Sequence, residues 1–194
     1  MTTDTKVQFV CFETSLDREA FMKRWKAYRR SSRSDADVVL QQCNNDGQFL
    51  YIAQHRFDSN DTQFEFTKEL RSGRVVQEKI KMVVIGGYAL LQLQNVQAAA
   101  ADERKIFVFI EDAAANLAPY KEVAGTQKLN IYQAYFQNCR YVYILEYFVK
   151  NKYATQLVEQ LEKHDAAKPG IYQEFAHVKN TASKKEAANF IWPG

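Results

Sequence analysis

Hydrophobic residues fall along this chain in short runs that alternate with helically spaced stretches. Lys6–Glu13 (KVQFVCFE) is a compact apolar run without helical spacing and predicts a strand. Thr14 or Ser15 offers a helix cap, and Leu16, Phe21, Trp25 and Tyr28 then recur on one side at helical spacing. The pattern fades in the Ser/Arg/Asp segment Ser31–Asp37. Val38–Cys43 predicts a second strand, Asn44–Gly47 a hairpin turn and Phe49–Phe57 the returning strand, since Asn, Asp and Gly tolerate the positive φ of such turns. A second helix is expected over Thr62–Val84, capped by the loop Asp58–Asp61. Phe66, Leu70, Val76 and Ile80 form its apolar face, and Gly86-Gly87 its stop, with Met82–Ile85 readable as strand instead. Tyr88–Val96 predicts a fourth strand, giving the order βαββαβ.

The same order returns after a connector at Gln97–Asp102. Lys105–Glu111 predicts a strand, Ala113–Ala124 a short helix interrupted near Pro119, and Gln127–Phe136 and Cys139–Val149 a hairpin turning at Gln137-Asn138. Lys152–Lys163 predicts a helix with Leu157, Val158 and Leu161 on one side, Pro169-Gly170 its stop, and Ile171–Val178 the last strand. The halves echo each other in sequence: GQFLYIAQHRF at Gly47–Phe57 aligns with CRYVYILEYFV at Cys139–Val149. Lys6 corresponds to Lys105, Phe49 to Tyr141, and Gly87 to Gly170, so strands keep their length while the intervening helices shorten. Units are expected over 1–97 and 103–179, with 180–194 a tail whose Phe190, Ile191 and Trp192 dock on the body.

A βαββαβ unit of about 90 residues is the ferredoxin-like split motif. The passage from strand through aromatic and polar pair into helix, at Phe49–Phe57 and again at Tyr143–Leu157 (YILEYFVKNKYATQL), resembles the antibiotic-biosynthesis-monooxygenase-like family of dimeric α+β barrels. Where that family usually places Trp at the strand end, this chain has Phe148 and Arg56-Phe57. The resemblance implies an α+β fold of tandem ferredoxin-like units that close an intrachain pseudo-twofold barrel from antiparallel sheets. Its quaternary state would be a monomer with this internal pseudo-dimer, or a homodimer. The physics agrees, because a sheet with helices on one face leaves the other face to be covered.

Composition narrows the function classes. A net charge of +3 falls short of the strongly basic character of nucleic-acid binders. Cys11, Cys43 and Cys139 are far apart and form no CxxC or Cys/His cluster, so buried free thiols in a reducing compartment are expected rather than a disulfide framework or zinc site. The start MTTDTKVQFV carries no basic-then-apolar signal, and no apolar run reaches the ~18 residues of a membrane span. A soluble cytoplasmic protein, with no membrane partner, is the expectation.

Candidate chemistry centres on the first half. Trp25 and Tyr28 on the first helix, with Tyr51 and His55 on the sheet, can line an aromatic pocket of the usual ligand-site composition. Core packing, with phenol groups reaching the rim, is the simpler account of the same aromatic positions. The family resemblance implies a cofactor-independent monooxygenase acting on an aromatic or phenolic substrate, with His55 as catalytic acid or base and Trp25, Tyr28 and Tyr51 as substrate-binding residues. No cofactor or metal is expected, although related barrel proteins that bind haem make a histidine ligand conceivable. A non-catalytic barrel with a filled pocket is the alternative. RNA binding on an exposed sheet is a third reading, without an RNP motif to support it.

Overall fold

A computed structural model describes residues 6–29, 36–43, 49–57, 59–71, 80–92, 100–124, 128–135, 139–164 and 169–179. Eight strands run β1 (Lys6–Thr14), β2 (Ala36–Gln42), β3 (Tyr51–Phe57), β4 (Ile80–Gln92), β5 (Glu103–Ile110), β6 (Lys128–Ala134), β7 (Tyr143–Lys150) and β8 (Gly170–Lys179). Four helices accompany them: α1 (Arg18–Arg29), α2 (Asn60–Arg71), α3 (Ala118–Ala124) and α4 (Ala154–Glu162), the last entered through a 3-10 turn at Asn151–Tyr153. The strands form a closed barrel in the order β1-β3-β2-β8-β5-β7-β6-β4, antiparallel at every junction. Two of those junctions, β2 with β8 and β4 with β6, join the early strands to the late ones. Every strand thus has a partner on each side, although β5 meets β8 only over Lys105–Phe107.

Strand alternation divides the apolar residues into an interior and two outer layers. The interior is aromatic. Phe9 packs edge-on against Tyr88, Phe107 and Tyr132, with ring centroids 5.4, 6.3 and 4.9 Å away. Phe49, Phe109 and Tyr141 fill the far end. Two phenols close the interior by donating to backbone carbonyls across the barrel, Tyr88 to Tyr141 O at 2.9 Å and Tyr172 to Phe49 O at 2.8 Å. Outside, Phe21, Trp25 and Phe66 from α1 and α2 cover one part of the wall, and Tyr120, Leu157 and Leu161 from α3 and α4 cover another. The inner sheet face is therefore enclosed by its own barrel and is not a platform for RNA.

Several elements differ from expectation. The helix expected over Thr62–Val84 stops at Arg71, and Ile80–Gln92 is one long strand. Val83 and Val84 are strand residues, whose apolar run fits either period when read alone. Gly86 and Gly87 lie inside β4 rather than ending a helix. A Cβ on Gly86 would sit 2.6 Å from the Tyr88 ring, and one on Gly87 would sit 2.8 Å from the Gln63 amide. Both glycines admit a close approach, one from within the barrel and one from α2. The cap of α1 is Asp17, whose Oδ1 accepts from Ala20 N at 2.8 Å, while Thr14 Oγ1 accepts from Leu16 N in the preceding turn. Pro119 falls in the first turn of α3, where its missing N–H is not needed, so it starts this helix rather than interrupting it. The expected turn at Asn44–Gly47 and the tail 180–194 lie outside the described residues.

The pairing also shifts the correspondence between strands by one residue. Phe9 faces Gln54 in the β1–β3 pair and Phe107 faces Glu146 in the β5–β7 pair, so positions 98 apart correspond, not the 99 of Lys6 and Lys105. A one-residue slip exchanges the faces. Lys105 accordingly lies inside the barrel, whereas Lys6 lies outside it with its ammonium 4.9 Å from the Tyr135 ring centroid. Tyr141 likewise belongs to the interior and Tyr147 to the outer layer, because β7 begins only at Tyr143.

Candidate functional site

Polar side chains are buried in two places, one inside the barrel and one outside it. Inside, Glu146 on β7 is 1% exposed and fully ligated by protein groups. Its Oε1 receives Lys105 Nζ at 2.9 Å and Gln54 Nε2 at 3.2 Å. Its Oε2 receives the Tyr132 hydroxyl at 2.6 Å and Asn130 Nδ2 at 2.9 Å. Lys105 also reaches Glu174 at 3.6 Å and the Phe148 ring at 5.0 Å. Burial by itself would raise the Glu146 carboxyl, but the Lys105 charge and these hydrogen bonds hold it below its ordinary value. Burial and the adjacent carboxylate push the Tyr132 phenol well up. With four donors on two oxygens, this carboxylate has no site left for a ligand.

The second group lies between α2 and the sheet. α2 packs over β1, β3 and β4. Ser59 starts it, its Oγ accepting from Thr62 N at 3.2 Å, as a cap does. Phe66 then points to the sheet and lies on the His55 ring with centroids 4.8 Å apart. Gln8, His55, Gln63 and Thr67 are all buried in this layer. Gln8 and His55 face each other across the β1–β3 pair. Gln63 Nε2 donates to Val7 O at 3.2 Å, in the space that Gly87 leaves free. The Thr67 hydroxyl lies 2.9 Å from Gln63 O and 3.0 Å from Gln8 Oε1, one proton serving two acceptors. Gln8 Nε2 has no hydrogen-bond partner among the described residues.

A cleft of about 330 Å³ opens beside this layer, lined by Asn60, Asp61, Gln63, Phe64, Thr67 and Tyr135. Tyr135 is held there by its backbone N–H, which donates to Gly87 O at 3.0 Å just past the end of β6. Phe64 is 58% exposed and Tyr135 37%, so two rings border the opening while the amide of Gln63 and the hydroxyl of Thr67 form its polar inner side.

The residues singled out from sequence are distributed around this layer. Trp25 and Tyr51 are buried together in the α1 side of the outer core, where Tyr51 stacks on Phe21 at 3.9 Å. His55 lies on the same sheet face but nearer α2, under Phe66. Tyr28 lies in α1, and its side chain is outside the described residues. Trp25, Tyr51 and His55 do not line the cleft. For a haem, a histidine would have to face an opening. Phe66 covers His55, His164 stands exposed past α4 beside Tyr120, and the His177 side chain lies outside the described residues. Among the described residues no set of three His, Cys, Asp or Glu is placed to hold a metal ion, and no helix is long and apolar enough to cross a membrane. Of the cysteines, Cys11 is buried as expected, but Cys139 is half-buried and Cys43, following β2 beside Gln173 of β8, is exposed.

Sequence reasoning missed Gln8, Gln63, Thr67 and Tyr135, as well as the interior carboxylate. The signal for Glu146 was a charge within an apolar run (YILEYFV), and for Gln8 an amide within another (KVQFVCF). Gln63 and Thr67 carried none, since polar residues on an amphipathic helix normally face solvent.

Comparison with known proteins returns the fold. No protein family and no curated protein matches the chain. Solved structures do: a cyanide complex of a mutant chlorite dismutase from Candidatus Nitrospira defluvii has a TM-score of 0.54 at 9% identity, covering 89% of this chain and 92% of that one. The imidazole complex of the same organism's enzyme gives the same figures. A further chlorite dismutase-like protein reaches 0.56 at 6% identity, covering 90% and 96%. The protein is thus similar in fold, along nearly its whole length, to the α+β barrels of chlorite dismutases.

Proposed function

We propose that this protein is a small-molecule-binding α+β barrel whose site lies between α2 and the sheet, entered through the cleft bordered by Phe64 and Tyr135. The observation that carries this reading is an asymmetry. Buried amide, imidazole and charged side chains occur in the barrel interior and on the α2 side of the wall, with none beneath α3 and α4 among the described residues. Where β3 places His55, the corresponding position of β7 is Tyr147, whose hydroxyl is satisfied by Tyr120 O at 3.0 Å. Of the buried polar groups, the Gln8 amide nitrogen has no hydrogen-bond partner among the described residues, and burying such a group is costly. Their concentration under one helix, beside the opening, therefore favours a ligand site over a merely structural layer. A cleft of this size, part aromatic and part hydrogen-bonding, suits a small aromatic molecule.

The strand order supports reading the chain as two ferredoxin-like units, 1–97 and 103–179. Each contributes four neighbouring strands, β4-β1-β3-β2 and β8-β5-β7-β6. The fold relatives support small-ligand binding in general, since their structures include complexes with cyanide and imidazole. Oxygenation of a phenol would in addition require His55 to meet the substrate, and Phe66 stands over it.

Thermal unfolding against a panel of small aromatic compounds tests the reading. A ligand of the native state must stabilise it, by about 2.7 kcal/mol at a hundredfold excess over Kd. A concentration-dependent rise in midpoint that Tyr135→Ala abolishes is expected. A panel that leaves the midpoint unchanged, or a rise that survives Tyr135→Ala and Phe64→Ala, would overturn it.

A further inference from the structure

We infer that the cleft beside α2 selects a positively charged ligand, an aromatic body that carries a protonated amine. This names the ligand class of the proposed site and rests on that reading. The hydrogen-bonding groups around the opening are unequal. The inner donors are spent: Gln63 Nε2 donates to Val7 O at 3.2 Å, and the single Thr67 proton already has two acceptors, Gln63 O and Gln8 Oε1. The acceptors are open. Gln63 Oε1 and the Asp61 carboxylate receive no hydrogen bond among the described residues, and Asp61 enters no ion pair among them. Asp61 is also the one charged residue among those that line the cleft.

The aromatic border has the same preference. Asp61 and Phe64 are three positions apart on α2, which puts the carboxylate beside that ring, and the end of β6 supplies Tyr135 as a second. The face of an aromatic ring is negative and attracts a cation placed within about 6 Å of its centroid. Tyr135 does this within the protein, since Lys6 Nζ lies 4.9 Å from its ring centroid. Lys6 is 8% exposed and does not line the cleft, so its ammonium leaves the opening free. An anion would meet the Asp61 charge and find the inner donors committed. A neutral alcohol could donate but would gain nothing from the charge. A protonated amine donates to the carboxylate and to Gln63 Oε1, and its charge lies against the rings. The dipole of α2 favours an acid in its first turn, but it does not account for open acceptors and two rings gathered around that acid.

Calorimetric titration of the full chain at pH 7 with benzylamine, benzyl alcohol and benzoate tests this, because the three share a ring and differ in charge. Protonated benzylamine is expected to bind about tenfold tighter than benzyl alcohol, with benzoate the weakest. Asp61→Asn should weaken benzylamine about fivefold, as suits an exposed ion pair, and leave benzyl alcohol unchanged. Glu65→Gln removes an exposed acid one turn further along α2 that does not line the cleft, and should change neither. Tyr135→Ala should weaken both, and added salt should narrow the gap between them. Circular dichroism of each variant checks that the barrel is retained. Equal affinity for benzylamine and benzyl alcohol, or wild-type benzylamine affinity in Asp61→Asn, overturns the cationic class while leaving the cleft as a site. So does a loss in Glu65→Gln equal to that in Asp61→Asn, which would trace the preference to the general field of the helix. No binding of any of the three compounds overturns the cationic class and the binding site together.

Discussion

Replacing Lys105 by Met removes the only cation that, among the described residues, lies within hydrogen-bonding distance of the buried Glu146 carboxylate. The two groups are 2.9 Å apart, and both side chains are 3% exposed or less. Removing one partner of a buried pair leaves an uncompensated charge, which typically destabilises by about 3–5 kcal/mol. Tyr132, Asn130 and Gln54 still donate to the carboxylate, which favours the lower half of that range. For a chain of this size the midpoint should fall by about 10 °C. The pH dependence gives a second readout. In the wild type the folded carboxyl is held below its ordinary value, so its contribution is present above the unfolded pKa and is lost as pH falls through the folded value. Without Lys105, burial dominates and the folded carboxyl rises above the unfolded one. The sign then reverses: stability is present at low pH and lost as pH rises through the raised value. Adding Glu146→Gln to Lys105→Met should recover stability at neutral pH, because the amide keeps an acceptor without the charge. Urea unfolding of the two variants between pH 4 and 8 is the assay. A Lys105→Met protein within 1 kcal/mol of wild type at pH 7, with unaltered pH slope, would refute the reasoning.

Other consequences follow from the packing. Gly86→Ala puts a methyl 2.6 Å from a Tyr88 ring that is clamped by its bond to Tyr141 O; a loss of about 1–3 kcal/mol is expected by denaturant unfolding, as for other overpacked cores. Tyr88→Phe leaves the Tyr141 carbonyl without that donor inside the barrel and should cost about 1–3 kcal/mol in the same assay, with no change in ligand affinity, because the interior is separate from the cleft.

Much of the fold was legible because its strands are strongly patterned. Lys6–Glu13, Lys105–Glu111 and Ile171–Val178 match β1, β5 and β8 to within two residues at either end. The closed barrel follows from strands with two apolar faces, which need cover on both sides. What was lost was lost for local reasons. The Met82–Ile85 run satisfies helix and strand spacing alike, and its pairing with β1 decides for strand. Gly86-Gly87 resembled punctuation, although its purpose is to admit Tyr88 and Gln63. Leu91, at the register shift between Leu90 and Gln92 in the β4–β6 pair, is 56% exposed. Of the buried layer beneath α2, sequence had singled out His55 alone, which lies under Phe66 and does not line the cleft. Gln63 and Thr67 look like ordinary surface residues of a helix until the helix is laid on β1, and Tyr135 lies 80 positions along the chain from His55.

Side-chain resonances followed during titration with a small aromatic compound that raises the unfolding midpoint test the central claim most directly. The account predicts that the Gln8 and Gln63 amides, the Thr67 methyl and the His55 ring shift together with one dissociation constant, while Tyr147 and the Lys105–Glu146 cluster stay in place. Shifts centred on that interior cluster or beneath α3 and α4, with the α2 layer unmoved, would contradict it.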